Sequence, residues 1–225
     1  MPHFDVVRQI TATSSFRTEK ILSMYDLDLD KYTERFAGDL NPPEQWNVGL
    51  IVGRSATGKT TIARELFGVY EDFAFGPRSI VDEMPESATV EDIAKMFTLV
   101  GFSSIPSFLK PYAVLSQGEQ MRVRLAKAFL SGEKRIVFDE FTSVVDRDVA
   151  RIVSTVVAKA ARHLDIQFIA VSCHYDVEEW LTPDWVFSTD EMQQRVGEKK
   201  NAQTCVCAYI DATREVGGVS NAITI

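Results

Sequence analysis

The fold is decided by one stretch of the chain, residues 48–70, which reads VGLIVGRSATGKTTIARELFGVY. Its first five residues form an apolar run that predicts a buried strand. After Thr60, apolar residues recur at helical spacing, at Ile62, Ala63, Leu66 and Phe67. The segment between strand and helix is bounded by glycines, and such a turn lets backbone N–H groups face an anion. The stretch therefore predicts a strand, a phosphate-binding loop and a helix.

The loop has the pattern Gly53-x-x-x-x-Gly58-Lys59-Thr60. In loops of this pattern the lysine reaches the β- and γ-phosphates of a nucleotide, and the hydroxyl of the last residue binds Mg²⁺. We therefore expect binding of ATP with Mg²⁺, and a glycine-rich turn without a ligand is the simpler alternative. The candidate nucleotide-binding residues of the loop are Gly53, Ser55, Thr57, Gly58, Lys59, Thr60 and Thr61.

Two carboxylates follow a second apolar strand in the stretch RIVFDE, residues 135–140. Asp139 would hold Mg²⁺ through its water shell, and Glu140 would polarise the attacking water as a general base. A strand followed by an acidic surface turn is the alternative. A third apolar run, QFIAVSCH, ends at His174, and a lone histidine is more often structural or solvated than catalytic.

A further motif, LSQGEQ, precedes a helix with an apolar face. Ser116 and Glu119, three residues apart, match a capping box, which is a purely structural explanation. However, a Leu-Ser-x-Gly-Glu string followed by an arginine-rich helix resembles the signature motif of the ATP-binding cassette (ABC) ATPases. Asp139 follows Ser116 by 23 positions and His174 follows Glu140 by 34, and both intervals are within the range of such cassettes.

The resemblance covers residues 48–187 and implies a mechanism. In this family the signature motif caps the γ-phosphate of a nucleotide held by a second subunit, so the active form would be an ATP-sandwiched homodimer. The stretch FTSVVDRD resembles the family's D-loop, and His174 resembles the switch histidine that contacts the γ-phosphate. The resemblance implies Ser116, Gly118, Glu119 and Asp146 as contacts across the dimer and Lys59, Glu140 and His174 as catalytic residues.

The interval between Lys59 and Ser116 departs from the transporter cassettes of the family. It spans only 57 positions, and one helix is expected in it, residues 89–100, so the helical subdomain would be reduced. The interval contains no glutamine, and the family's Q-loop glutamine is therefore absent. Asp82 or Glu83 lies near its expected place, and Asp82 is the predicted additional metal ligand.

The sequence leaves open which aromatic residue stacks on adenine. Phe16, Tyr25 and Tyr32 all precede the loop, and stacking on a base selects no sequence motif. Phe16 is the predicted contact, and a core role is an equal alternative for all three.

Composition argues against several classes of protein. The chain has 225 residues, a formal net charge of −8 and 45% hydrophobic residues. No apolar run approaches the roughly 18 residues of a membrane span, the N-terminus lacks the plan of a signal peptide, and the acidic charge does not support nucleic-acid binding. Three cysteines without zinc-ligand spacing predict reduced thiols and a cytoplasmic protein.

The predicted fold class is α/β, a P-loop NTPase core with a mostly parallel sheet covered by helices. Strands are expected near Val48, Ile80, Ile136, Phe168 and Val186. The predicted parts are an N-terminal β-rich part (1–46), the ATPase core (47–190) with the reduced helical subdomain (89–115), and a C-terminal extension (191–225). In the extension we expect a polar loop over 191–201 and a strand at TCVCAYI, 204–210.

The leading functional prediction is a soluble, non-transporting ABC ATPase that hydrolyses Mg-ATP as a dimer and drives a conformational switch in a partner. The stretch DEFTSVVDRDVA also resembles a group of ABC-type ATPases of archaea, bacteria and phages that are often fused to a predicted GNAT acetyltransferase. This implies a separately encoded partner, an acetyltransferase or another protein. The alternatives are the nucleotide-binding subunit of a membrane transporter, a DNA-repair or chromosome-associated ATPase, and a non-hydrolysing nucleotide sensor.

Overall fold

The computed structural model of the chain describes residues 3–9, 15–27, 33–68 and 74–197. Its strands are β1 (His3–Gln9), β2 (Thr33–Asp39), β3 (Val48–Val52), β4 (Arg135–Phe138), β5 (Gln167–Ser172), β6 (Trp185–Ser188) and β7 (Gln193–Val196). The last five form one sheet in the order β4-β5-β3-β6-β7, in which only β7 is antiparallel to its neighbour. The predicted mostly parallel α/β fold is confirmed.

The helices of this part of the chain are α1 (Phe16–Met24), α2 (Lys59–Phe67), α3 (Val90–Leu99), α4 (Ile105–Phe108), α5 (Gln117–Leu130), α6 (Arg147–His163) and α7 (Val177–Leu181). A 3₁₀ turn, Tyr112–Val114, precedes α5. The expected helix over 89–100 corresponds to α3, where the Thr89 hydroxyl accepts a hydrogen bond from the Asp92 N–H at 3.2 Å. None of the helices described is long and apolar enough to cross a membrane.

Strand β3 lies at the centre of the sheet, and all five of its residues are buried. Because side chains alternate along a strand, it contributes to two cores. Leu50 packs in the core beneath α3, α5 and α6, whereas Ile51 packs in the core shared by α2 and the β1–β2 pair. Full burial of such a side chain stabilises the fold by about 1.5–3 kcal/mol. The sheet is therefore covered on both faces, and its functional groups are left at the strand ends.

Two predicted elements differ from the structure. The strand expected near Ile80 is absent: Ser79 forms an isolated bridge with Pro111, and the chain then turns, with the Asp82 N–H bonded to the Ser79 carbonyl at 2.9 Å. The prediction of a polar loop over 191–201 is wrong at Gln193–Val196, because these residues form β7. Pairing with β6 explains β7, since the edge of β6 offers a full row of backbone partners.

Some predictions fall on residues that the structure does not describe. Tyr32 and the expected strand TCVCAYI are among them.

Candidate functional site

The phosphate-binding loop connects the end of β3 to the start of α2, as predicted. Gly58 is the N-cap of α2 and has a left-handed backbone with φ of 83°, a region that favours glycine. No side chain caps this helix, so its first-turn N–H groups remain available to an anion. Ser55 is exposed in the loop, and Thr61 lies half-buried in the first turn of the helix.

Two loop glycines are also required by packing. A Cβ on Gly53 would lie 2.1 Å from Thr189 Oγ1, and one on Gly58 would lie 2.6 Å from the ring of Phe36. Neither distance is compatible with a side chain. Glycine at both positions therefore has a structural cause besides the approach of a phosphate.

The ammonium group of Lys59 lies across the loop. Its Nζ donates a hydrogen bond to the Arg54 carbonyl at 2.5 Å, and the same carbonyl accepts one from Thr57 Oγ1 at 2.8 Å. Lys59 must leave this acceptor in order to bind a phosphate, and the exchange replaces one charge-assisted hydrogen bond by another.

A hydrogen bond joins the loop to the carboxylates of RIVFDE. Thr60 Oγ1 donates to Asp139 Oδ2 at 2.8 Å, although the two residues are 79 positions apart. Hydroxyl and carboxylate oxygens suit Mg²⁺, which commonly uses one or two carboxylates together with substrate phosphates and waters. Among the residues described, no group of three or more His, Cys, Asp or Glu could hold a metal by itself. The donor set therefore fits Mg²⁺ bound together with a nucleotide.

Glu140 is held in an unusual backbone conformation. Its φ is 54° and that of Thr142 is 66°, and a β-branched residue adopts such a value only when its surroundings impose it. The Thr142 side chain is fully buried, and its hydroxyl has no hydrogen-bond partner within the described part of the chain. Glu140 itself is exposed next to Asp139, so its carboxylate is accessible.

His174 follows the end of β5, next to the turn that carries Glu140. The Phe141 N–H donates to the Val171 carbonyl at 2.9 Å, and the Ser172 hydroxyl donates to the Phe141 carbonyl at 2.9 Å. The His174 N–H in turn donates to Ser172 Oγ at 3.1 Å. The imidazole Nδ1 is buried without a hydrogen-bond partner among the residues described. The structure thus brings the histidine loop and the carboxylate turn together.

Ser116 forms the expected capping box at the start of α5. Its N–H donates to Glu119 Oε2 at 2.9 Å, and the Glu119 N–H donates to Ser116 Oγ at 3.4 Å. The Ser116 hydroxyl also donates to Glu119 Oε2, at 2.8 Å. The bond from the Ser116 N–H and then that from the Ser116 hydroxyl hold the pKa of the Glu119 carboxyl below its ordinary value. Ser116 is nevertheless exposed, so it can cap the helix and also face a second molecule.

The remaining predicted site residues lie at separate places. Asp146 is the N-cap of α6, where its carboxylate accepts a hydrogen bond from the Val149 N–H at 2.9 Å. The carboxylate of Asp82 accepts one from the Ser79 hydroxyl at 2.5 Å. Phe16 begins α1 and is 80% exposed, and Tyr25 is 65% exposed. The nucleotide contacts predicted for Asp146 and Phe16 and the metal contact predicted for Asp82 stay predictions.

Sequence reasoning missed the turn that follows β6. Asp190 accepts hydrogen bonds from the Arg54 N–H, at 3.2 Å for one carboxylate oxygen, and from the phenol of Tyr175. The Thr189 hydroxyl is 2.5 Å from the Thr57 hydroxyl. The place of this turn in the fold could have indicated it, because β6 is parallel to β3 and both strands end at the same edge of the sheet.

No family model matches the chain. It is 32% identical over 114 residues to the spermidine/putrescine import ATP-binding protein PotA of Clostridium acetobutylicum, which covers 51% of this chain and 31% of that protein. It is 26% identical over 182 residues to the uncharacterized ABC transporter ATP-binding protein y4fO of Sinorhizobium fredii, which covers 78% of this chain and 50% of that protein. The chain thus spans about a third to a half of the length of these relatives.

Solved structures of ABC cassettes share the fold. The cbiO1 protein of Clostridium perfringens, part of the ABC transporter complex cbiONQ, matches 81% of this chain and 86% of its own with a TM-score of 0.57 and 17% identity. A dimeric post-hydrolysis state of the ATP-binding cassette MJ0796, bound to ADP and Pi, matches 72% of this chain and 92% of its own with a TM-score of 0.56 and 15% identity. At these identities the likeness concerns the fold.

The fold of the chain is that of ABC cassettes, and the order of its motifs resembles that of the ABC ATPases. On this P-loop fold the chain carries a phosphate loop, paired carboxylates and a Leu-Ser-x-Gly-Glu string that resembles the family's signature motif. The narrower prediction, a soluble non-transporting type related to acetyltransferase-fused ATPases, finds no support in the comparisons. The relatives named here are ATP-binding proteins of transporters.

Proposed function

We propose that this chain binds and hydrolyses Mg-ATP at composite sites of an ATP-dependent dimer. The observation that carries the proposal is the 2.8 Å hydrogen bond between Thr60 and Asp139, because it joins the phosphate loop to the paired carboxylates in one site. The likeness to a cassette captured as a dimer with ADP and Pi agrees with it.

The chemistry is divided among residues of one subunit. The free N–H groups at the start of α2 and the ammonium of Lys59 bind the phosphates. Thr60 and Asp139 would hold Mg²⁺, which neutralises charge on the phosphate oxygens. Glu140, exposed beside this pair, accepts a proton from the attacking water, and His174 donates to the γ-phosphate.

The signature motif completes the site of the other subunit. A Cβ on Gly118 would find Val145 at 3.7 Å as its nearest neighbour, which is ordinary van der Waals contact. Packing within the subunit therefore does not require a glycine there. Close approach of a second subunit's phosphate does require one, and the exposed residue Ser116 lies two positions before it.

Mixing of two inactive variants tests the composite site. Ser116→Arg keeps the phosphate loop and blocks the signature motif, whereas Lys59→Ala does the reverse. Each homodimer should be inactive, and the mixture should regain part of the wild-type ATPase activity, because a mixed dimer retains one intact composite site. An inactive mixture, with ATP binding by Ser116→Arg confirmed, would contradict the proposal.

The relatives favour a membrane-transport complex as the partner. An acetyltransferase partner and a soluble switch have no such support. The absent Q-loop glutamine and the short interval before Ser116 distinguish the chain from transporter cassettes and leave its coupling surface reduced. The transporter assignment would be supported if Glu140→Gln co-purified with an integral membrane protein in the presence of ATP and the Ser116→Arg variant did not. Cytoplasmic location belongs to the same proposal.

A further inference from the structure

The turn that follows β6, residues Thr189 and Asp190, makes hydrogen bonds with the phosphate loop and with the strand before it. The Thr189 N–H donates to the Val52 carbonyl at 2.9 Å, and the Thr189 and Thr57 hydroxyls are 2.5 Å apart. The Asp190 carboxylate accepts the Arg54 N–H at 3.2 and 3.3 Å for its two oxygens. A glycine-rich loop has many conformations available, so these contacts select one of them.

Asp190 binds side chains as well as the loop backbone. Its carboxylate also accepts the Arg54 guanidinium through Nε at 3.2 Å and the phenol of Tyr175. The Asp190 side chain is only 18% exposed, although that of its partner Arg54 is 80% exposed. Tyr175 directly follows His174, so one well-covered carboxylate connects the phosphate loop with the histidine loop.

Arg54 extends this connection to the catalytic lysine. Its N–H is bonded to Asp190, and its carbonyl accepts the Lys59 ammonium at 2.5 Å. A continuous series of hydrogen bonds therefore runs from Tyr175 through Asp190 and Arg54 to Lys59. Its two ends adjoin the groups that the proposed mechanism places on the γ-phosphate.

We propose that Asp190 is a positioning residue that fixes the phosphate loop for the triphosphate and keeps the His174 loop in register with it through Tyr175. The proposal rests on the proposed function, since it assigns the ligand of the loop as a nucleotide. Fixing the loop before binding removes an ordering cost from the binding step. Loss of the carboxylate should therefore raise KM for Mg-ATP, and loss of the Tyr175 hydroxyl should lower kcat.

Three substitutions test this. Asp190→Asn keeps the shape and removes the charge, Tyr175→Phe removes one hydroxyl, and Glu191→Gln is the matched control, because it removes a carboxylate charge at the neighbouring position. We expect KM of Asp190→Asn to rise about tenfold with a nearly unchanged melting temperature, as suits the loss of charge-assisted hydrogen bonds. Tyr175→Phe should lower kcat several-fold with a smaller change in KM, and the double variant should show less than the sum of the two effects. Glu191→Gln should match the wild type.

Hydrogen–deuterium exchange of the nucleotide-free protein separates this proposal from the proposed function. Asp190→Asn should increase exchange over residues 53–58 and 172–176, and Glu191→Gln should not. If the wild type hydrolyses no ATP, the proposed function fails, and the exchange pattern still decides whether Asp190 orders the two loops. Exchange and KM equal to those of Glu191→Gln would overturn the positioning role. So would a lowered melting temperature with KM unchanged, and Tyr175→Phe provides the answer if Asp190→Asn does not fold.

Discussion

A Cβ on Gly58 would lie 2.6 Å from the ring of Phe36, whereas a Cβ on Gly118 would have Val145 at 3.7 Å as its nearest neighbour. Packing within the subunit therefore excludes a side chain at Gly58 but not at Gly118. Gly58 also has a φ of 83°, where any L side chain is strained, but Gly118 lies in the first turn of α5. At single-residue scale, the fold of the subunit requires the first glycine, and we attribute the second to the partner's nucleotide.

Alanine at these two positions should separate stability from activity. Gly58→Ala should lower the free energy of unfolding by about 1 kcal/mol or more, because the backbone and Phe36 both resist the methyl group. Gly118→Ala should leave stability unchanged or raise it by up to about 1 kcal/mol, since alanine favours a helix. It should nevertheless reduce ATP hydrolysis strongly, because a methyl group would meet the opposing phosphate. Urea unfolding and steady-state ATPase assays measure both, and full activity of Gly118→Ala would contradict the composite site.

At the scale of a secondary-structure element, the start of α5 poses the same question for Ser116. Aspartate and asparagine cap helices as well as serine does, so Ser116→Asn and Ser116→Asp should both unfold within a few degrees of the wild type. If Ser116 only caps the helix, both variants hydrolyse ATP. If it also faces a γ-phosphate, the added carboxylate of Ser116→Asp repels that phosphate, and hydrolysis should be lost in this variant and largely retained in Ser116→Asn. ATPase assays paired with thermal unfolding distinguish the two cases.

The capping box also makes the stability of the protein depend on pH. The pKa of Glu119 is lowered from 4.5 in the folded chain, chiefly by the hydrogen bond from the Ser116 N–H. A carboxyl with a lowered folded pKa contributes stability above its unfolded pKa and loses it as the pH falls through the folded one. Glu119→Gln should therefore destabilise the protein by up to about 1 kcal/mol at pH 7, and this difference should shrink below pH 4.5. Urea unfolding from pH 7 to pH 3 measures it, with Glu86→Gln as the control for removal of one exposed charge.

Short sequence patterns were sufficient to predict structure where the interacting residues are close together in the sequence. The glycine pattern around Gly58, the cap at Thr89 and the capping box at Ser116 each involve neighbours within a few residues, and the structure shows all three. The failures involve distant partners. The segment around Ile80 has the composition of a strand but, within the described part of the chain, makes one isolated bridge, from Ser79 to Pro111. Strand β7 forms by pairing with the edge of β6. Contacts over more than 100 positions, such as that between Arg54 and Asp190, leave no local pattern.

At the scale of the whole molecule, the proposed composite site needs two chains. The Lys59, Thr60 and Asp139 side chains are gathered at one edge of the sheet. The hydrogen bonds of the Ser116 side chain, by contrast, are with Glu119 of its own helix, in the described part of the chain. Under the proposed function, a second subunit therefore brings its signature motif to the γ-phosphate.

Solution mass with and without Mg-ATP tests this arrangement. Glu140→Gln should bind ATP and not hydrolyse it, and the closed dimer should then accumulate. Each chain carries a formal net charge of −8, so two chains repel at long range. At 0.15 M salt the Debye length falls to about 8 Å and this repulsion is largely screened. Size-exclusion chromatography with light scattering at this salt should show a monomer without nucleotide and a dimer with Mg-ATP.

The control is Glu140→Gln combined with Ser116→Arg, which keeps the phosphate loop and should remain monomeric with ATP bound. A dimer in this control would mean that the subunits associate through a surface other than the composite site. A monomer in Glu140→Gln itself, with bound ATP confirmed, would contradict the homodimer. Ser116 would then either face the nucleotide of a different protein or only cap α5, and the ATPase assays of Ser116→Asp and Ser116→Asn would distinguish these two cases.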